Sequence, residues 1–133
     1  MPTWLLKTEP SEYSFADLLR DGGAVWSGVT NPLALKHIRS MRKGDVAFIY
    51  HTGAEKRIVG LATIAADPYA DPKAGDPRIV VVDVTAGRPL AKAVSLAAIK
   101  ADARFKDFPL VRMGRLSVMP VPRELERAIL AMT

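Results

Sequence analysis

The chain has 133 residues, 49% hydrophobic and 25% charged, with a formal net charge of +5 at neutral pH; this supports one globular domain with an anionic partner. It lacks cysteine, which excludes disulfides, thiol catalysis and thiolate-ligated zinc. No stretch approaches the ~18 apolar residues of a membrane span, and the opening apolar run of about three residues is too short for a secretory signal, so a cytoplasmic protein without a membrane partner is expected.

Residues 3–7 (TWLLK) read as a buried strand. Ser14 is a helix N-cap, Asp17 stands at its N3 position, and Gly22-Gly23 stop the helix. Val25 and Trp26 form a strand stub. Asn31 and Pro32 open the next helix as N-cap and first residue, and it runs to about Lys43. There Ala34, Ile38 and Met41 share the core-facing stripe, and Lys36, Arg39 and Lys43 form a basic solvent face. Residues 45–51 and 57–66 are strands joined by a turn at Gly53. Gly60 marks a bulge or a close backbone approach. Asp, Pro and Gly crowd residues 67–77, a loop. Residues 78–85 (RIVVVDVT) are the strongest strand, followed by a turn at Gly87 and Pro89. Ser95 caps a short helix, residues 105–114 are irregular, and 115–121 form the last strand. Pro122 opens a final helix whose buried stripe is Leu125, Ile129 and Met132. Strands do not alternate regularly with helices, which disfavours a doubly wound parallel fold. An α+β fold follows, with a compact, mostly antiparallel barrel of five or six strands flanked by helices.

Four patches combine apolar strand residues with polar or aromatic groups at strand ends: WLLKTEP (4–10), WSGVTN (26–31), GDVAFIYHT (44–52) and RLSVMPV (115–121). Polar groups are costly to bury without partners, so their clustering around aromatics indicates a pocket. Trp26 is either core or one wall of a planar cavity. Asn31 caps a helix and can also aim its amide at a ligand. Thr8 offers a hydroxyl, while Lys7 and Glu9 form either part of a site or a surface pair. Tyr50 is a stacking candidate. His51, on the opposite strand face, is a general base, a metal ligand or a structural histidine. Arg115 and Ser117 share a strand face, where Arg115 grips a phosphate or pairs with a surface carboxylate. The chain has no GxSxG, P-loop, HExxH or GxGxxG pattern, and no nucleophile, base and orienter set. No catalytic residue, metal or cofactor is assigned. An enzyme acting on a nucleotide or small amide, with His51 or Glu9 as base, stands as an alternative.

These four patches, in this order and spacing, resemble the EVE domain, part of the PUA-like superfamily and related to YTH and ASCH domains. The family pattern runs from WLxKSEP through WxGVRN, GDxxxxYHS and a YPD loop to RLSVxPV. The resemblance spans essentially the whole chain and implies a PUA-like barrel with a pocket for a single, modified nucleobase such as methylated or hydroxymethylated cytosine. Carried over by position, the pocket residues are Lys7, Thr8, Trp26, Ser27, Val29, Asn31, Tyr50, His51, Tyr69, Arg115, Leu116 and Ser117. Lys36, Arg39 and Lys43 would hold the nucleic-acid backbone of a partner bound by a monomer. The partner is DNA or RNA. A general RNA-binding domain without modification preference is a further alternative. Several positions depart from the pattern. Thr8 and Thr52 stand for Ser, Thr30 for Arg, and Ala70 for the Pro of YPD; Pro32 and Leu35 replace an aromatic and an Arg. These changes bear on which base is preferred and leave the fold expectation intact.

Overall fold

Strand β1 (Thr3–Thr8) is apolar through Leu6 because it is enclosed on both edges and both faces; Trp4, Leu5 and Leu6 are buried. It pairs in parallel with β3 (Val46–His51), placing Leu5 beside Phe48, and antiparallel with β7 (Val118–Val121). A parallel pair needs a long crossover. Here α1 (Phe15–Asp21), β2 (Gly23–Trp26) and α2 (Pro32–Ser40) supply it. The computed structural model describes residues 2–133. Its seven-stranded sheet runs β2-β6-β4-β3-β1-β7, with β4 spanning Arg57–Ile64 and β6 Val80–Ser95, and with the two-residue β5 (Tyr69–Ala70) attached to β6. Among the described residues no ladder joins β2 to β7, so the barrel-like sheet is open. The α+β architecture is the expected one, with more strands than expected. No helix among the described residues is long and apolar enough to cross a membrane.

Local chemistry explains the helix starts. Ser14 and Asp17 form a reciprocal capping box, and Asn31 Oδ1 accepts the N–H groups of Leu33 and Ala34 at 2.9 and 3.0 Å. Ser95 caps α3 (Leu96–Lys100), and Pro122 precedes α5 (Arg123–Ala131), which buries Leu125, Ala128 and Ile129 while Met132 is only partly covered.

Several expectations are corrected. Helix α2 ends at Ser40, because Met41 takes an extended conformation to bury its side chain and the Asp45 carboxylate captures the Arg42 N–H. Lys43 therefore lies in the following turn, off the basic helix face that carries Lys36 and Arg39. The anticipated turn at Gly87 and Pro89 is absent, and β6 continues through both. Pro89 stands opposite Gly60, where the β4–β6 register shifts on either side, and a Cβ at Gly87 would lie 2.5 Å from the Leu61 carbonyl oxygen. Gly and Pro here mark a bulged bend, where a missing ladder donor is tolerated. Within 105–114, α4 spans Pro109–Arg112, just after a 3₁₀ turn at Ala103–Phe105. The last strand begins only at Val118, so Arg115, Leu116 and Ser117 precede it in a turn closed by Leu116 N–H to Met113 O at 2.9 Å.

Gly60 is the expected close approach. A Cβ there would lie 2.3–2.5 Å from the Phe15 ring, itself buried at the start of α1. Gly60→Ala should therefore cost about 1–3 kcal/mol by overpacking, measured by urea unfolding. In a Phe15→Ala background the added methyl should cost far less. Equal costs in both backgrounds would show that Phe15 is not the obstacle.

Candidate functional site

The C-terminal end of β1, the end of β2, the segment leading into α2 and Ser117 surround a cavity of about 540 Å³. Lys7, Thr8, Trp26, Ser27, Val29, Asn31 and Ser117 all line it, brought together from three of the four sequence patches. Glu9, weighed above as part of a site, lines it too, and the structure adds Glu12, Tyr13, Ala24, Val25, Gly28 and Thr30 to the walls. Gly28 and Thr30 sit inside the WSGVTN patch. Glu12 and Tyr13 arrive because their N–H groups both bond to the Glu9 carbonyl at 2.9 Å, folding 9–13 over the strand end. No periodicity signals that turn.

The polar groups divide into committed and open ones. Thr8 Oγ1 donates to the Tyr13 carbonyl at 2.6 Å, and Lys7 Nζ donates to the Gly114 carbonyl at 2.9 Å. Burial pushes the Lys7 ammonium below its ordinary pKa. Glu9 accepts from the Ser11 N–H and hydroxyl and from Thr52 Oγ1, at 3.3, 3.1 and 3.1 Å. The Ser11 N–H first, with Thr52 next, holds its carboxyl below the usual range. Asn31 spends its carbonyl on the helix cap, which leaves its amide NH₂ open to a ligand. Trp26 is 8% exposed, and its indole N–H has no acceptor among the described residues. Since no fully buried side-chain nitrogen or oxygen among them lacks a partner, that N–H reaches solvent. Trp26 is thus both core and cavity wall.

The remaining sequence candidates lie elsewhere. Tyr50 is buried behind the wall, with Lys7 Nζ 5.7 Å from its ring centroid. His51 turns inward: Nε2 accepts the Phe15 N–H at 3.0 Å and Nδ1 meets Glu55 Oε1 at 3.0 Å. With both nitrogens engaged, it ties β3 to the start of α1 and does not face the cavity. Tyr69 lies on β5, where its hydroxyl donates to Asp83 Oδ1 at 2.7 Å. Arg115 and Leu116 line a second hollow of about 350 Å³ with Leu33, Met113 and Gly114, and Asn31 is common to it and the main cavity. A third hollow, also about 350 Å³, holds Arg39 and Arg78 and shares Thr30 with the main cavity. Lys36 is exposed on α2 outside all three. Arg78, expected to open the strand 78–85, instead lies in the turn before β6 and is not among the sequence candidates. Its carbonyl accepts from the Arg39 guanidinium at 3.2 Å, and its own guanidinium pairs with Asp76 of the same hollow at 2.9 Å. No cluster of three or more His, Asp or Glu among the described residues could hold a metal ion.

Residues 2–132 match the profile of a family described as the EVE domain. The chain is 30% identical to thymocyte nuclear protein 1 of Danio rerio, over 91% of this chain and 67% of that protein. It is similar to a solved structure from Rhodopseudomonas palustris, with 41% identity, a TM-score of 0.94, and 99% and 92% of the two chains covered. It is also similar to human THYN1 protein, solved in complex with 5-methylcytosine containing DNA, with 26% identity, a TM-score of 0.91, and 99% and 97% covered.

Proposed function

Because the chain belongs to the EVE domain family, we propose that it is a non-catalytic nucleic-acid-binding module that admits a single modified base, methylated or hydroxymethylated cytosine first, into the cavity beside Trp26. The observation that carries this reading is the mixture of open donors and acceptors on one apolar-backed cavity. The Asn31 amide and the Trp26 N–H are donors suited to the carbonyl and ring-nitrogen edge of cytosine. Glu12, which makes no side-chain hydrogen bond among the described residues, lines the same cavity and can accept from an exocyclic amine. Val25 and Val29 offer apolar surface to a methyl substituent. The similar human protein, complexed with 5-methylcytosine containing DNA, supports the choice of base.

Taking up a base requires it to leave its stack, at a cost of a few kcal/mol in a duplex and little in a single strand. In this reading Arg39, in the hollow that shares Thr30 with the cavity, and Arg115, in the hollow that shares Asn31 with it, hold flanking phosphates, with Lys36 further along α2. The carboxylates of Glu9 and Glu12 at the cavity itself keep phosphate out of the base site. His51 and Glu9, the bases an enzyme would use, are both engaged in structural hydrogen bonds, which favours the binding module. A monomer acting in the cytoplasm is part of the same proposal.

The test is titration with short DNA and RNA strands, single and double, carrying plain or 5-modified cytosine at two salt concentrations. A preference of at least tenfold for the modified strand, about 1.4 kcal/mol, is expected. It should persist at higher salt while both affinities fall. Equal affinity for plain and modified strands would leave a general electrostatic binder and sink the base-cavity reading.

A further inference from the structure

Met113 is 45% exposed although it adjoins the main cavity through the hollow that shares Asn31 with it. Its backbone is held firmly. Its N–H bonds to the Pro109 carbonyl at 2.7 Å, and its carbonyl accepts the Leu116 N–H at 2.9 Å. One residue on, the Gly114 carbonyl accepts Lys7 Nζ at 2.9 Å, so a residue of the cavity wall pins this turn from 107 positions away. Arg115, exposed, follows directly. A rigid turn thus presents an apolar side chain and a guanidinium together, at the edge of the cavity.

Resting on the base-cavity reading, we propose that Met113 is a wedge that enters a nucleic-acid duplex and fills the gap left in the stack when the modified base moves into the cavity, with Arg115 on the adjacent phosphate. Extruding a base leaves apolar faces unstacked, and an inserted apolar side chain covers them. The long, unbranched methionine side chain adapts to an irregular gap. Arg115 supplies the charge complementarity that brings this edge against a backbone. In a single strand no stack has to be filled, so Met113 contributes only where the base is paired.

Affinities of the parent, Met113→Ala and Met113→Leu proteins are compared on one modified-cytosine sequence, as a single strand and as a duplex with 2-aminopurine stacked beside the modified base, and on the same single strand with plain cytosine. Met113→Ala is expected to lose on the order of tenfold on the duplex and to match the parent on the single strand, with Met113→Leu restoring duplex binding. The 2-aminopurine fluorescence change on binding should shrink with the Ala variant alone. If Met113→Ala weakens both substrates equally, or neither, the wedge is wrong while the base cavity stands. If the parent shows no preference for the modified single strand, the base cavity fails and the wedge falls with it.

Discussion

Trp26→Ala is expected to abolish the preference for a modified strand and to cost about 3–5 kcal/mol of folding stability. The two losses have different origins. Trp26 ends β2, where it pairs with Val82 of β6, and nearly all of its surface is packed in the core. Truncation leaves a large cavity at the edge strand of the sheet, and an edge strand of four residues has little else to hold it. The binding loss comes from the ring wall and the solvent-reaching N–H. Trp26→Phe separates the two, since it keeps most of the buried ring and removes the donor. Urea unfolding should place the Phe variant close to the parent, and titration should show its preference for the modified strand reduced. If the Phe variant folds and discriminates as the parent does, the indole N–H does not read the base.

Asp45→Ala should destabilise the fold by about 3 kcal/mol or more without altering any group that lines the cavity. Asp45 is 1% exposed. One carboxylate oxygen accepts the Trp4 indole N–H at 3.0 Å and the Arg42 backbone N–H at 2.9 Å. Alanine removes the shared acceptor and strands both donors. Trp4 belongs to β1, which carries Lys7 and Thr8 to the cavity, and Arg42 follows α2, which begins at Asn31. The carboxylate therefore fastens β1 to the turn that follows α2. Asp45→Asn, which keeps one acceptor oxygen, should lose less. Chemical denaturation of the two variants checks this, and an Ala variant as stable as the parent would mean that water replaces the carboxylate.

Much of the frame was legible in the sequence because capping and breaking chemistry acts within a helical turn. Ser14 with Asp17, Asn31 with Pro32, and Ser95 each marked a helix start through a side chain that bonds a backbone group close by. The crowding at Gly60 was legible as well, since a glycine inside a strand pattern implies a neighbour at close range. The order of the four patches was enough for the family resemblance.

The sidedness of strand-end residues was not legible in the same way. Tyr50 and His51 belong to a patch that resembles the family pocket, yet both are buried, His51 by bonds to Phe15 and Glu55. The Gly87–Pro89 segment carries turn chemistry but runs as strand, because β4 lies alongside it with a shifted register. Arg115 and Ser117, placed on one strand face by alternation, part company because the strand starts later: Ser117 faces the main cavity and Arg115 the neighbouring hollow. Amino-acid sequence alone thus determined the helix starts with their caps, which depend on contacts between near neighbours, and the family, through the order of the four patches. Tertiary structure alone decided which side chains meet at the cavity, because those meetings depend on register and on bonds such as Lys7 to Gly114, whose partners lie 107 residues apart.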